Sequence, residues 1–408
     1  MLERTLQSLA FADAWGRQMR FIVGPRQTGK TTLAKMRLAR AGCERLYYLW
    51  DSRAVRDRYR EDELFITADL SGVADPLPWA CFDEIHKMPK WKNILKSIFD
   101  QTQDQVRLMV TGSAKLNVLK SAGDSLAGRY FTFHLMPLTL REAAGRGAAA
   151  GATTVPDSAL DFVARRLDAT AAGQDVLEAL LQFGGFPEPF LAQSKAFHRK
   201  WATDYVDTVI REDIAQLTRI IDRETIHHLY SLLPEMVGSP ISEAALAGHL
   251  QSSPPTVKNY LRRLADFYLA FPVPPYSRNI KRAILKARKC YLYDWSRVAD
   301  PAARFENYIA CELNATLHLW SDASGTPFDL FHIRDKMKRE TDFLIVRDGQ
   351  PWLLVEAKLT DRAVDHQHLV HRQALGDIPL VQVCERPGIA TQQRQGVFRL
   401  SAARLFGG

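Results

Sequence analysis

With 408 residues the chain is long enough for roughly two to four domains, each with its own core, so different sections can carry different chemistry. Its 46% hydrophobic and 25% charged residues are a soluble globular balance. No apolar run is long enough to span a bilayer, and the start, Met1-Leu-Glu-Arg-Thr-Leu6, lacks a secretory leader pattern. A net charge of +8 favours polyanion partners, while five scattered cysteines (Cys43, Cys81, Cys290, Cys311, Cys384) without a CxxC spacing argue against a disulfide framework or zinc site and for a reducing cytoplasm.

In chain order, Met19 to Val23 is an apolar run predicted as a buried strand, GPRQTGKT follows from Gly24 to Thr31, and helical spacing runs from Thr32 to Ala39. Glycines at those positions let backbone N–H groups wrap phosphates, and the helix start adds partial positive charge. Gly24, Pro25, Arg26, Gln27, Thr28, Gly29, Lys30, Thr31 and Thr32 are therefore the candidate ATP-binding set, with Lys30 on the outer phosphates and Thr31 on magnesium. Trp79 to Phe82 is a second apolar run, ending in Asp83-Glu84. A buried strand there delivers Asp83 to hold Mg²⁺ through water and Glu84 to orient or deprotonate the attacking water. The run Arg107 to Val110 ends in Thr111-Gly-Ser113, making Ser113 the candidate γ-phosphate sensor. Arg129, in SLAGR, has two readings: a cation for transition-state charge, in its own chain or across a subunit interface, or a surface salt-bridge residue.

GPRQTGKTTL, CFDEIHKMPKW, VTGSAKL, SLAGRY and MPLTLRE, followed by GGFPEPFL and YVDTVIREDI, resemble the prokaryotic AAA-type ATPase family that carries a C-terminal domain of formerly unknown function. The likeness covers most of the chain. It implies an α/β P-loop core, a helical lid, a winged helix-turn-helix and a restriction-endonuclease-like α/β domain, and it implies no substrate. The AAA resemblance also carries an expectation of a homo-oligomer, with a ring as one form it could take.

Gly145 to Thr154 is rich in small residues and suits a flexible connection, placing a first boundary near residue 150. Asp161 to Asp222 reads as mostly helical, a lid over 151–225, with Phe183-Gly-Gly-Phe186 expected to pack tightly on the ATPase core. From Ile241 two helices flank a polar turn, the helix-turn-helix of a 226–298 segment. Ser253 caps the second helix, whose apolar stripe (Val257, Tyr260, Leu261, Leu264, Tyr268) leaves Lys258, Arg262 and Arg263 outward. Arg278, Lys281, Arg282, Lys286, Arg288 and Lys289 then concentrate charge in a predicted wing hairpin, suited to phosphate contacts. The alternative is a helix-turn-helix packed on the catalytic core with a solvated basic face.

In the last segment, 299–408, an amphipathic helix from Arg304 to Leu313 carries Glu306, and two apolar runs, Thr341 to Val346 and Trp352 to Lys358, flank the hairpin signal Arg347-Asp-Gly-Gln350. Strand periodicity puts Glu356 and Lys358 on one face. The set resembles the PD-(D/E)xK nuclease core. That resemblance implies Asp342, Glu356 and the Ala357 carbonyl as magnesium ligands, Lys358 positioning water, and Glu306 from the helix. A two-residue turn at Asp348-Gly349 would pair Asp342 with Val355, on the wrong side; one extra residue, as a bulge or a three-residue loop, brings Asp342 opposite Glu356. His366, His368 and His371 are expected to be solvated on a polar helix.

The leading expectation is an ATP-driven enzyme using Mg²⁺ and acting on DNA, branched or broken DNA included, with no membrane partner. Its rival is a nucleotide-gated switch with protein partners and an inactive nuclease fold.

Overall fold

A computed structural model describes residues 2–112, 126–149, 151–214, 222–277 and 287–408. The chain divides into two compact units, 4–136 and 137–408, the latter joined by residues 1–3.

In the first unit the strands β1 (Met19–Val23), β2 (Tyr47–Leu49), β3 (Trp79–Asp83), β4 (Arg107–Thr111) and β5 (Tyr130–His134) form one sheet in the order β2-β3-β4-β1-β5. All four neighbouring pairs are parallel. Continuous burial along β1 and β3 follows from this, because a parallel sheet is covered on both faces. The helices Lys30–Arg40 and Trp91–Thr102 supply cover through Leu33, Ala34, Leu38, Ile94, Leu95 and Ile98. Because β4 lies between β1 and β3, three strand ends converge: the loop after β1, Asp83 on β3 and Thr111 on β4. Strands β2 and β5 were not among the predicted elements.

The second unit opens with the short helix Leu140–Ala143, and helices Ala159–Ala164, Gln174–Phe183, Pro187–Ala192 and Lys195–Thr208 follow, the latter in the region predicted to be helical. A Cβ on Gly185 would lie 2.5 Å from Trp295 Cη2 and 3.0 Å from the Leu138 carbonyl oxygen. Leu138 lies in the 1–150 segment predicted as the ATPase core, and its N–H donates to Gly185 O at 2.6 Å, so the glycine pair packs closely on that segment as expected. Helices Glu243–His249 and Pro254–Asp266 follow, the latter capped by Ser253, whose hydroxyl accepts from Thr256 N at 3.3 Å. Strands β6 (Ala270–Val273) and β7 (Lys289–Leu292) pair antiparallel.

The helix Pro301–Ser324 then leads to a six-stranded sheet, order β12-β13-β11-β10-β9-β8. Its strands are β8 (Phe328–Arg334), β9 (Glu340–Arg347), β10 (Gln350–Lys358), β11 (Leu380–Cys384), β12 (Ala390–Arg394) and β13 (Val397–Ser401). The hairpin β9–β10 turns at Asp348-Gly349 with Arg347 opposite Gln350, and its register shifts between Pro351 and Leu353, so that Val355 faces Phe343. The bulge required for Asp342 and Glu356 to meet is present, and it reverses the side on which Glu356 would otherwise point.

Candidate functional site

The loop after β1 owes its shape to backbone freedom. Gly24 has φ 144° and Gly29 φ 92°, and a Cβ on Gly24 would lie 2.2 Å from the Leu135 carbonyl oxygen, so only glycine fits there. The Thr28 hydroxyl donates to Pro25 O at 2.9 Å, and Lys30 Nζ donates to the carbonyls of Gly24 (3.0 Å) and Pro25 (2.5 Å). Lys30 is 8% exposed. An ammonium resting on loop carbonyls marks where arriving phosphate oxygens would be met.

Asp83 is buried and accepts three hydroxyls: Thr31 at 2.7 Å and Tyr47 at 2.6 Å on Oδ2, and Thr111 at 2.5 Å on Oδ1. The predicted pair Thr31 and Asp83 is thus in direct contact. Tyr47 and Thr111 were missed, since a tyrosine on a short strand and a threonine at a strand end are common residues without a motif. Burial, then the hydrogen bond to Asp83, pushes the Tyr47 phenol up, keeping it a donor.

Glu84 adopts φ 60° and ψ 23°, the left-handed region that non-glycine residues rarely occupy, and its N–H donates to Thr111 O at 3.0 Å. Burial raises its pKa, with Lys87 the chief opposing charge; Lys87 Nζ lies 3.6 Å and His86 Nε2 3.5 Å from Glu84 Oε2. A carboxyl group tuned upward and held beside Asp83 suits proton acceptance. Arg129 forms a two-pronged pair with Asp100 (Nε–Oδ1 2.8 Å, Nη2–Oδ2 2.9 Å), the salt-bridge alternative of its two readings. Ser113 lies outside the described residues.

In the second unit, Asp342 N donates to Glu356 Oε2 at 3.1 Å, Ala357 N donates to Asp342 Oδ2 at 3.0 Å, and Lys358 Nζ donates to Glu356 Oε1 at 2.6 Å. Four predicted residues, Glu306, Asp342, Glu356 and Lys358, therefore share one region. Its centre is a residue assigned differently by the sequence. Lys289 is buried, with Nζ 3.0 Å from Glu306, 2.5 Å from Glu340 and 3.5 Å from Asp342, which corrects its placement in a phosphate-contacting wing. Burial disfavours its charge, but Glu306, Asp342 and Glu340 more than offset this and raise its pKa. Tyr291 OH also donates to Glu306 at 2.7 Å. Among the described residues, no group of three His, Cys, Asp or Glu side chains is disposed to hold a metal ion.

The histidine expectation is corrected as well. His368 and His371 are buried, and their Nδ1 atoms lie 2.9 and 2.8 Å from the single hydroxyl of Thr341, while His366 is exposed. His368 Nε2 is 3.5 Å from Glu356 Oε1. The helix His366–Ala374 faces β9 with these two rings, spaced three residues apart and so on one side.

Of the predicted nucleic-acid residues, Lys258 and Arg262 are exposed on the helix Pro254–Asp266, and Arg263 is half-buried, 3.2 Å from Asp266. Arg278, Lys281, Arg282 and Lys286 lie outside the described residues.

Residues 16–144 match the family model described as an AAA domain, and residues 174–299 match one described as a domain of unknown function (DUF8612). The uncharacterized protein Rv2008c of Mycobacterium tuberculosis is 25% identical over 340 residues, covering 81% of this chain and 68% of that protein. The uncharacterized protein MJ1544 of Methanocaldococcus jannaschii is 23% identical over 316 residues, covering 74% and 66%. The solved structure of the Aeropyrum pernix ORC1 protein in complex with DNA aligns at TM-score 0.31 and 14% identity, over 75% of this chain and 91% of that one. The Bacillus subtilis DNA clamp loader delta protein aligns at TM-score 0.28 and 10% identity, over 78% and 98%. No helix among the described residues is long and apolar enough to cross a membrane.

Proposed function

We propose that this chain, whose residues 16–144 form an AAA domain, binds ATP with magnesium and hydrolyses it. The observation carrying the proposal is the 2.7 Å contact between the Thr31 hydroxyl and Asp83, beside a loop that holds Lys30 buried. These residues fit the group: a glycine loop for the phosphates, an ammonium for their charge, and a hydroxyl and carboxylate side by side for a hard divalent ion. Magnesium, when bound, neutralises charge on the terminal phosphates. Lys30 grips the outer phosphate, Glu84 takes the proton of the attacking water, and Tyr47 and Thr111 hold Asp83 in place. Ser113 as sensor belongs to the same proposal, as does Arg129, which must leave Asp100 to act on a phosphate. Glu84→Gln is expected to retain labelled nucleotide while slowing hydrolysis about 100-fold or more. Lys30→Ala is expected to lose retention; wild-type protein that holds no nucleotide with Mg²⁺ present overturns the reading.

We further propose that hydrolysis responds to DNA bound through a winged helix-turn-helix. Exposed Lys258 and Arg262, and the run of cations over 278–289 apart from buried Lys289, support it. The test is the ATPase rate with single-stranded, duplex and branched DNA, and with Lys281 and Arg282 reversed in charge. A homo-oligomer, which Arg129 would need in order to act across an interface, is read from mass in solution with and without ATP.

For the second unit one observation favours the rival reading, a nuclease-like fold that does not cleave. Lys289 lies among the carboxylates, and the oxygens of Asp342 and Glu356 already accept from N–H groups and Lys358. As arranged, the cluster does not fit a metal, and metal-ligand roles for Asp342 and Glu356 require Lys289 to move. Cleavage of any DNA by wild-type protein with Mg²⁺, abolished by Lys358→Ala, would restore the nuclease reading.

A further inference from the structure

The backbone that carries Lys289 is pinned on both sides. On β7 it pairs with Val273 of β6 and bridges Pro240 on the other side, and the neighbouring Arg288 O accepts from Ile241 N at 2.9 Å. Strand alternation puts Lys289 and Tyr291 on one face, and both side chains donate to the same oxygen, Glu306 Oε1, at 3.0 and 2.7 Å. The ammonium also meets Glu340 at 2.5 Å and Asp342 at 3.5 Å, from alternate positions of β9.

Carboxylate oxygens drawn from a helix and a strand around one positive centre are how a protein holds a hard cation, and here the centre is the chain's own side chain. Lys289 is fully buried, while the three acids keep 14–26% of their side chains exposed, so ions from solvent can reach the oxygens. Burial and then Asp342 raise the pKa of Glu306, a sign that one ammonium does not fully offset three acids.

We propose that Lys289 is a built-in cation that serves in place of a divalent ion and keeps metal out of the second unit. The inference rests on the reading of that unit as a nuclease-like fold that does not cleave, and supplies its cause. Contacts spread over 2.5–3.5 Å suit an ammonium. Mg²⁺ demands oxygens at about 2.0–2.1 Å in near-octahedral order, whereas Ca²⁺ accepts about 2.3–2.6 Å in irregular sets. A cage vacated by the lysine therefore takes calcium in preference to magnesium.

The test is the melting temperature of the full chain, free of nucleotide and DNA, in EDTA, magnesium or calcium. Lys289→Ala is expected to melt below the wild type in EDTA and to regain about 5 °C or more with saturating calcium, and less with magnesium. Lys289→Gln, shorter than lysine and bringing an amide oxygen that can itself ligate calcium, gives the same gain if the first variant fails to fold. Adding Glu340→Gln to either variant removes most of the gain. The P-loop is the same in every chain, so any ion effect there cancels against the wild type. A calcium gain no larger than that of the wild type in both variants, a gain that survives Glu340→Gln, a larger gain with magnesium than with calcium, or a wild-type calcium gain that Glu340→Gln abolishes overturns the proposal. Cleavage of DNA by the wild-type protein with Mg²⁺ would instead overturn the reading it rests on, so the two failures are told apart.

Discussion

Two buried lysines solve the same problem in different ways. Lys30 donates to the carbonyls of Gly24 and Pro25 in a loop built on positive φ angles, whereas Lys289 sits between Glu306, Glu340 and Asp342. Carbonyl dipoles hold an ammonium in readiness, and phosphate oxygens can replace them without leaving carboxylates stranded. Three carboxylates instead consume the charge, and taking the lysine from them exposes a cluster of buried negative groups. A buried lysine among backbone oxygens thus points to a ligand, while one among acids serves the architecture.

The comparison breaks most easily at the lysines themselves. Lys289→Met is expected to cost ~3–5 kcal/mol in denaturant unfolding, because it strands Glu306, Glu340 and Asp342. Lys30→Met is expected to cost about 1 kcal/mol or less while nucleotide retention disappears. Equal destabilisation in the two variants would remove the distinction.

A buried acid hydrogen-bonded by a backbone amide sharpens it next. Glu312 accepts from Leu140 N at 2.7 Å, and burial pushes its pKa up to about 8. Its folded value exceeds the unfolded one, so its stabilising contribution is full below about pH 4.5 and is lost as pH rises through about 8. Glu312→Gln keeps the acceptor and never ionises. Its melting temperature at about pH 8 is expected to exceed that of the wild type by several degrees and to vary less with pH, a gain of about 1 kcal/mol or more. A lower melting temperature there would show that Glu312 is needed as an anion.

Glu84 gives a smaller effect in the rate. Its pKa is raised from 4.5, so the acid limb of the hydrolysis profile is expected above the ordinary glutamate range, with rate falling as pH drops through that limb. A limb at or below 4.5 would count against Glu84 as the base. Smallest of all, Tyr47→Phe removes one of three hydroxyls on Asp83 and is expected to slow hydrolysis a few-fold, about 1 kcal/mol. A change as large as that of Glu84→Gln would place Tyr47 in the chemistry itself.

How much of this was legible depended on whether the chemistry was contiguous. GPRQTGKT and the acidic end of WACFDE lie on short, uninterrupted stretches, so the residue pattern alone pairs Thr31 with Asp83. The hairpin was legible in a conditional form: the residue types required a bulge, and it lies between Pro351 and Leu353. Burial was not legible. His368 and His371 occupy a polar-looking helix and lie against Thr341, and Lys289 ends a basic run whose other members fix nothing about it. In each case the deciding contact comes from a distant segment.

The sequence by itself determined the glycine loop, its flanking strand and helix, and the acids that face it, because those depend on φ preferences and hydrophobic period within a few residues. Only the tertiary structure decided which cation met which anion: Lys289 with three acids, Arg129 with Asp100, and three arginines around the oxygens of Gly407 and Gly408. Charges act through space at distances set by packing, and packing joins residues that no local pattern relates.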